Sequence, residues 1–190
     1  MREDEIILEQ FDSYIKQSYR NRCRICGANG ALNLSIPVKR LRGTKTLFKD
    51  IRIDYDMSWQ KVHWRSLVAS YACSPFFEYF IDDLMGFYEN KFEYLVDLNR
   101  AILEKTLYCM GVDIPVRMSE KFEAISSKED PRQFIHPKLD TRVADPAFSV
   151  LPYHQVFEEK HGFQSNLSIL DLLFNEGPGS LSVLKKSLKI

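Results

Sequence analysis

Lys16-Gln17-Ser18-Tyr19-Arg20-Asn21-Arg22-Cys23-Arg24-Ile25-Cys26-Gly27-Ala28-Asn29-Gly30-Ala31-Leu32-Asn33-Leu34-Ser35-Ile36-Pro37-Val38 is the stretch from which the fold is read. Asn29-Gly30 is the preferred pair for the centre of a type I′ turn, because both residues tolerate positive φ, and alternating residues flank it. A hairpin follows. Counting outward from that turn sets Ile25 opposite Leu34, Cys23 opposite Ile36, Tyr19 opposite Arg40, Arg24 opposite Ser35 and Arg22 opposite Pro37. One face then carries Cys23, Ile25, Leu32, Leu34, Ile36 and Val38 and is expected to cover a core. The other carries Arg20, Arg22, Arg24, Asn33 and Ser35, a row of guanidinium donors on a rigid element that implies an anion-facing or an ion-paired surface.

The flanking segments extend this sheet. Glu5-Ile6-Ile7-Leu8-Glu9 reads as a short buried strand running through Phe11 and Tyr14 into the hairpin. It begins abruptly, so the chain is expected to lack an opening segment and to leave apolar surface open beside Ile6, Ile7 and Leu8. After Val38, the run from Lys39 to Lys49 holds five basic residues, a glycine and no acid. Such a loop suits phosphate, although it lacks P-loop spacing and reads equally as a solvated turn. Ile51, Ile53 and Tyr55 alternate with Asp50, Arg52 and Asp54 as a third strand, whose acids are placed to neutralise the arginine row.

Helical periodicity then takes over. Ser58 can cap a helix with a stripe of Trp64, Leu67, Val68, Tyr71 and Ala72, and His63 lies at the stripe's edge as a packed residue or a proton carrier. Ser74-Pro75 starts a second helix facing Phe77, Phe80, Ile81, Leu84 and Tyr88 inward. A third, from about Phe92 to Met110, is stopped by Gly111 and carries Asn99 within its apolar stripe, where the amide either ties down a backbone or faces a polar pocket. Residues 119–152 are polar and contain Pro131, Pro137, Pro146 and Pro152. Within this long loop His136 and Lys138 could hold an anion or move a proton. Further on, His154, Glu158 and His161 have steps that suit a metal on one helical face, but no established signature supports it and a solvated face accounts for them; no metal is assigned. In Ser168-Ile169-Leu170-Asp171-Leu172-Leu173-Phe174-Asn175 the spacing of Ser168 and Asp171 fits a capping box, and Gly177-Pro178 stops the helix. Asp171 and Asn175 are its polar seam. A carboxylate on so apolar a helix needs a partner, so Arg22 and Asp171 are expected to share one cluster lining an anion-binding cleft.

Composition bounds the remainder. The 190 residues suit a single domain, with 45% hydrophobic and 27% charged content and 26 basic against 26 acidic residues. Zero net charge argues against a general nucleic-acid binder. No apolar run is long enough to span a bilayer and the acidic start is unlike a signal peptide, so the expected location is the cytoplasm. Cys23, Cys26, Cys73 and Cys109 contain one CxxC, whose members fall on opposite faces of a strand, which favours separate reduced thiols over a zinc knuckle.

Lys16 to Ile25 with Ala28-Asn29-Gly30, Trp59 to Trp64, Ser74-Pro75-Phe76-Phe77-Glu78-Tyr79, Asp97-Leu98-Asn99, Ile135-His136-Pro137-Lys138, Tyr153-His154-Gln155-Val156-Phe157 and Asn166 to Asn175 closely resemble the WbqC-like family, in order along nearly the whole chain. The match is best to members common in Bacteroides-type bacteria. Family members usually open with a strand and a Tyr-Leu-Pro-Pro-like turn, and nothing before Glu5 matches it. The resemblance implies a glycyl or acyl transferase acting on a sugar or nucleotide sugar in surface-polysaccharide (O-antigen) synthesis, or a non-catalytic binding or assembly protein of such a pathway. It carries no established catalytic residue, and the cofactor is unknown. The expected fold class is α+β, with an N-terminal antiparallel or mixed sheet under a helical layer. The candidate residues are His63, His136 and Asp171 for catalysis, and Arg20, Arg22, Lys39, Asn99, Lys138 and Asn175 for binding an anionic small molecule.

Overall fold

A computed structural model of the chain describes residues 4–39, 45–122, 124, 135 and 148–189, and its architecture is α+β. The strands are β1 (Ile6–Leu8), β2 (Arg22–Gly27), β3 (Gly30–Ser35), β4 (Val38–Lys39), β5 (Arg52–Ile53) and β6 (Val116–Met118). The helices are α1 (Trp59–Tyr71), α2 (Phe77–Glu89), α3 (Leu95–Cys109), α4 (Glu158–His161), α5 (Ile169–Glu176) and α6 (Ser180–Ser187).

The strands do not form one sheet. They make three two-stranded ladders: β2 with β3 and β4 with β5, both antiparallel, and β1 with β6, parallel. A turn in which Gln17 takes φ +59° separates β1 from the hairpin, and Pro37, which has no N–H to give a ladder, separates β3 from β4. Ile6 and Leu8 pack with Leu107, Val112 and Val116, while Ile7 between them is 59% exposed.

The hairpin forms with a different register from the one Asn29-Gly30 implies. Arg22 faces Ser35, Cys23 faces Leu34, Arg24 faces Asn33 and Gly27 faces Gly30, so Ala28 and Asn29 take the turn centre. Gly30 has φ +96° and Asn29 is not left-handed. A turn followed by a left-handed glycine rejoins twisted strands as well as a type I′ turn does. The slip is an even number of residues, so each side chain keeps its face, except that Leu32 now lies near the tip and is 42% exposed.

Helix α1 crosses the hairpin from edge to edge. Ile36 N–H donates to Asn21 O at 2.8 Å, and alternation then turns the backbone groups of Arg22, Arg24, Cys26 and Ser35 outward from the ladder. His63 Nε2 meets Ser35 O at 3.1 Å on the β3 edge, and Tyr71 Oη accepts from Cys26 N–H at 3.2 Å on the β2 edge. Eight helical residues rise about 12 Å, close to the width of two strands about 5 Å apart with a hydrogen bond reaching out on each side. This rotates the buried stripe to Trp59, His63, Leu67, Ser70 and Tyr71, leaving Val68 exposed. Of the expected stripe Leu67 and Tyr71 are buried, Trp64 is half-buried and Val68 and Ala72 are exposed, because two edge hydrogen bonds fix which side of α1 faces the hairpin.

Ile25, Leu34, Leu67, Tyr71, Phe77, Phe80, Leu84, Leu173 and Phe174 form the core between hairpin and helices, each large side chain stabilising by roughly 1.5–3 kcal/mol. Trp59, Phe48, Ile51, Ile53, Leu95 and Leu98 form an adjoining core, and Phe87 and Tyr88 pack against both. Gly177 ends α5 at φ +52°, where an added Cβ would lie 2.5 Å from the Phe76 ring. No helix among the described residues is long and apolar enough to cross a membrane.

Candidate functional site

Asp171 is the most buried polar residue of the candidate set, 0% exposed in the first turn of α5, a helix that also buries Leu170, Leu172 and Leu173. Its side chain does not reach back to cap the helix; Ser168 Oγ accepts from Leu170 N–H, and the carboxylate turns inward. Tyr71 Oη donates to Oδ1 at 2.8 Å, while Tyr153 Oη (2.7 Å) and Gln155 Nε2 (3.0 Å) donate to Oδ2. The donor assignments are forced. Gln164 N–H can only donate, and it faces Gln155 Oε1 at 2.8 Å, so the other end of that amide is the NH₂ group. Cys26 N–H already donates to Tyr71 Oη, so the phenolic proton goes to Asp171.

No cation answers this carboxylate among the described residues. Burial pushes the Asp171 carboxyl above its ordinary value, and the bonds from Tyr153, Tyr71 and Gln155 pull it part of the way back. Burial and the adjacent charge hold the Tyr71 and Tyr153 hydroxyls well above the usual phenol range, so both stay protonated donors. Cys26 is raised by burial and then by Asp171. The result is a closed cluster joining α1, α5 and the edge of β2.

The same C-terminal segment holds β2 along its length. Ser168 N–H donates to Arg24 O at 2.6 Å, Lys160 Nζ and His161 Nε2 reach Ala28 O at 2.7 and 3.0 Å, and Asn166 Nδ2 donates to Tyr19 Oη at 3.0 Å. His161 is thereby turned to the hairpin tip, away from His154, whose Nδ1 lies 3.8 Å from Glu158. Among the described residues no group of His, Cys, Asp or Glu is placed to hold a metal.

The remaining candidates are dispersed. His63, 7% exposed, donates through Nε2 to the Ser35 carbonyl, which fixes its tautomer; its ring meets Trp59 edge-on at 5.1 Å, and burial holds its pKa below the ordinary value. Arg20 pairs with Asp12 at 2.5 Å, donates to Ser13 O and covers the Phe48 ring. Asn99 Nδ2 ties α3 to Arg20 O at 2.7 Å. Lys39 lies 3.8 and 3.5 Å from Asp54 and Asp56, and Lys49 lies 3.0 Å from Asp50, so Asp50 and Asp54 pair with lysines and not with the arginine row. Asn175 donates to Asp171 O, and its buried Oδ1 has no partner. His136 and Lys138 lie outside the described residues.

Arg22 does not meet Asp171. It alternates with Cys23, and it is Cys23 that packs toward α5; Asp171 reaches β2 through Tyr71 at Cys26, about 13 Å further along the strand. Arg22 and Arg24 instead share the outer face of the hairpin, opposite Ser35 and Asn33. Among the described residues neither guanidinium has an ion-pair or hydrogen-bond partner, and Arg22 Nε is buried without an acceptor. Sequence reading missed Tyr71, Tyr153 and Gln155 as partners of Asp171. A tyrosine on a buried stripe, whose hydroxyl must find a partner, was the available signal for Tyr71.

The fold and site thus define an α+β protein whose helices brace one hairpin, with a closed carboxylate cluster inside and, outside, two arginines that have no partner among the described residues. The chain belongs to the WbqC-like protein family, whose model matches residues 1–142. It is 27% identical over 196 residues to Uncharacterized protein Rv1507c of Mycobacterium tuberculosis (strain ATCC 25618 / H37Rv), covering 92% of this chain and 84% of that protein. No solved structure matches it significantly.

Proposed function

We propose that this protein binds an anionic small molecule on the outer face of its hairpin through Arg22, as a non-catalytic binding or assembly component of a surface-polysaccharide pathway. The observation that carries the reading is the unanswered guanidinium: Arg22 Nε is buried with no acceptor, although every other described cation among the candidates is paired or bonded. Arg22 is half-buried and its charge has no counter-ion among the described residues, and an anion on that face would supply one. Asp171, one of the residues expected to serve catalysis, and Asn99, one of those expected to bind, are both committed to internal hydrogen bonds. The pathway itself is supported by the family resemblance alone.

A second reading, a glycyl or acyl transferase acting on a sugar or nucleotide sugar, is favoured by one feature. His63 stands beside Ser35, the residue paired with Arg22, and its fixed Nε2–H leaves the Nδ1 lone pair as a base. A thermal-shift series with inorganic phosphate, nucleotide sugars and amino acids tests the binding reading. Ligand should stabilise wild type and not Arg22→Ala; equal shifts in both would reject it. Transfer of a labelled glycyl group from a glycyl thioester to a nucleotide sugar by wild type, with release of the free thiol, lost in His63→Gln with ligand binding retained, would establish the second reading over the first.

A further inference from the structure

We infer that Arg22 and Arg24 form a two-arginine clamp for a dianionic phosphate group, carried by a phosphate ester or a diphosphate. This rests on the binding reading above and narrows it to a ligand class. The two residues are one pleat repeat apart on the same face, so their Cα atoms lie about 6.5–7 Å from one another. Their ladder partners complete a four-residue patch, with Ser35 opposite Arg22 and Asn33 opposite Arg24. Both are non-hydrogen-bonded pairs, in which facing side chains are closest.

That patch holds two guanidiniums, a hydroxyl and a carboxamide, and no acid. Other carboxylates among the described residues are engaged elsewhere: Asp12 with Arg20, Asp54 and Asp56 with Lys39, and Asp171 with its tyrosines. A carboxylate offers two oxygens and one negative charge, which matches a single guanidinium fork. A phosphate dianion offers more oxygens and neutralises both forks, and it relieves the repulsion between like charges held side by side. The exposed Ser35 hydroxyl and Asn33 carboxamide suit hydroxyl groups next to the phosphate. The strand bearing the arginines is held in place: Ser168 N–H grips Arg24 O from one edge, and His63 grips Ser35 O from the other. Such support fixes the strand backbone, and with it the spacing of the two arginine Cα atoms, before a ligand arrives.

Titration calorimetry at constant ionic strength with pyrophosphate, inorganic phosphate and acetate tests this, using wild type, Arg22→Ala, Arg24→Ala, Arg24→Lys and an exposed-lysine control, Lys61→Ala. Pyrophosphate should bind wild type at least tenfold more tightly than acetate, and each alanine variant should weaken it by about tenfold to a hundredfold. Arg24→Lys should recover only part of the loss, because a point charge lacks the fork. If Arg24→Ala binds as wild type while Arg22→Ala does not, or if acetate binds as tightly as pyrophosphate, the clamp is overturned and the Arg22 reading stands. If none of the anions binds wild type, or Lys61→Ala weakens binding as much as the arginine variants, both fail.

Discussion

Replacing Tyr71 with Phe should destabilise the fold far more than the same change at Tyr153. At position 71 the substitution deletes one oxygen and keeps the ring in the core against Phe174, with centroids 5.2 Å apart. Two bonds go with that oxygen. The carboxylate loses a donor, worth about 1.5–3 kcal/mol for a charged acceptor, and the Cys26 N–H, on a residue 2% exposed, loses its acceptor at a further cost of about 1–3 kcal/mol. The combined loss is about 2.5–6 kcal/mol. Tyr153→Phe removes one donor from an oxygen that keeps Gln155, at a partly exposed position open to water, and should cost about 1–2 kcal/mol. Urea unfolding of the three proteins measures both, provided the denaturant slopes agree. Native-state hydrogen exchange should also show the Cys26 amide accelerated in Tyr71→Phe and not in Tyr153→Phe. Equal costs for the two variants, or a Tyr71→Phe cost below about 1 kcal/mol, would refute the network as drawn.

Three further outcomes follow from the same geometry. Because burial raises the folded Asp171 carboxyl above 3.8, its contribution is greatest below about pH 4 and is lost as pH rises through the folded value; the stability of wild type minus that of Asp171→Asn should therefore fall from acid to neutral pH in urea titrations, and a difference growing with pH would contradict it. His63 is depressed below 6.5, so its contribution is present above that pH and disappears as pH falls through the folded value; an NMR titration should place it below 6.5, and a value above would mean the ring is solvated or charge-paired. Gly177→Ala should cost about 2–4 kcal/mol by unfolding, from left-handed strain and overlap with the Phe76 ring, and a neutral effect would show that Phe76 moves aside freely.

The legible parts of the fold were those set by local chemistry. The hairpin, the α2 stripe of Phe77, Phe80 and Leu84, the stop at Gly111 and the buried helix at Asp171 all follow from turn residues and periodicity. What lay beyond reach depended on long-range pairing. β1 found its partner at Val116–Met118, far along the chain, and nothing in Ile6-Ile7-Leu8 specifies a parallel neighbour over the adjacent hairpin. The face of α1 was set by hydrogen bonds at both hairpin edges, a term absent from hydrophobic spacing. At the site, the need of Asp171 for partners was readable but their identity was not. A carboxylate can be satisfied by a cation or by several neutral donors, and here Tyr71, Tyr153 and Gln155 supplied them. That left Arg22 unpaired among the described residues, on the same hairpin face as Arg24, which was read only as part of the row.

The central claim is that the charge of Arg22 is left for a ligand, and a crystal structure of the protein grown with pyrophosphate tests it most directly. The account predicts the anion on the outer face of the hairpin, within hydrogen-bond distance of the Arg22 and Arg24 guanidiniums, with Asp171 still bonded to Tyr71, Tyr153 and Gln155. Pyrophosphate bound elsewhere with that face empty, or Arg22 Nε bonded to an acceptor of the protein itself, would contradict it.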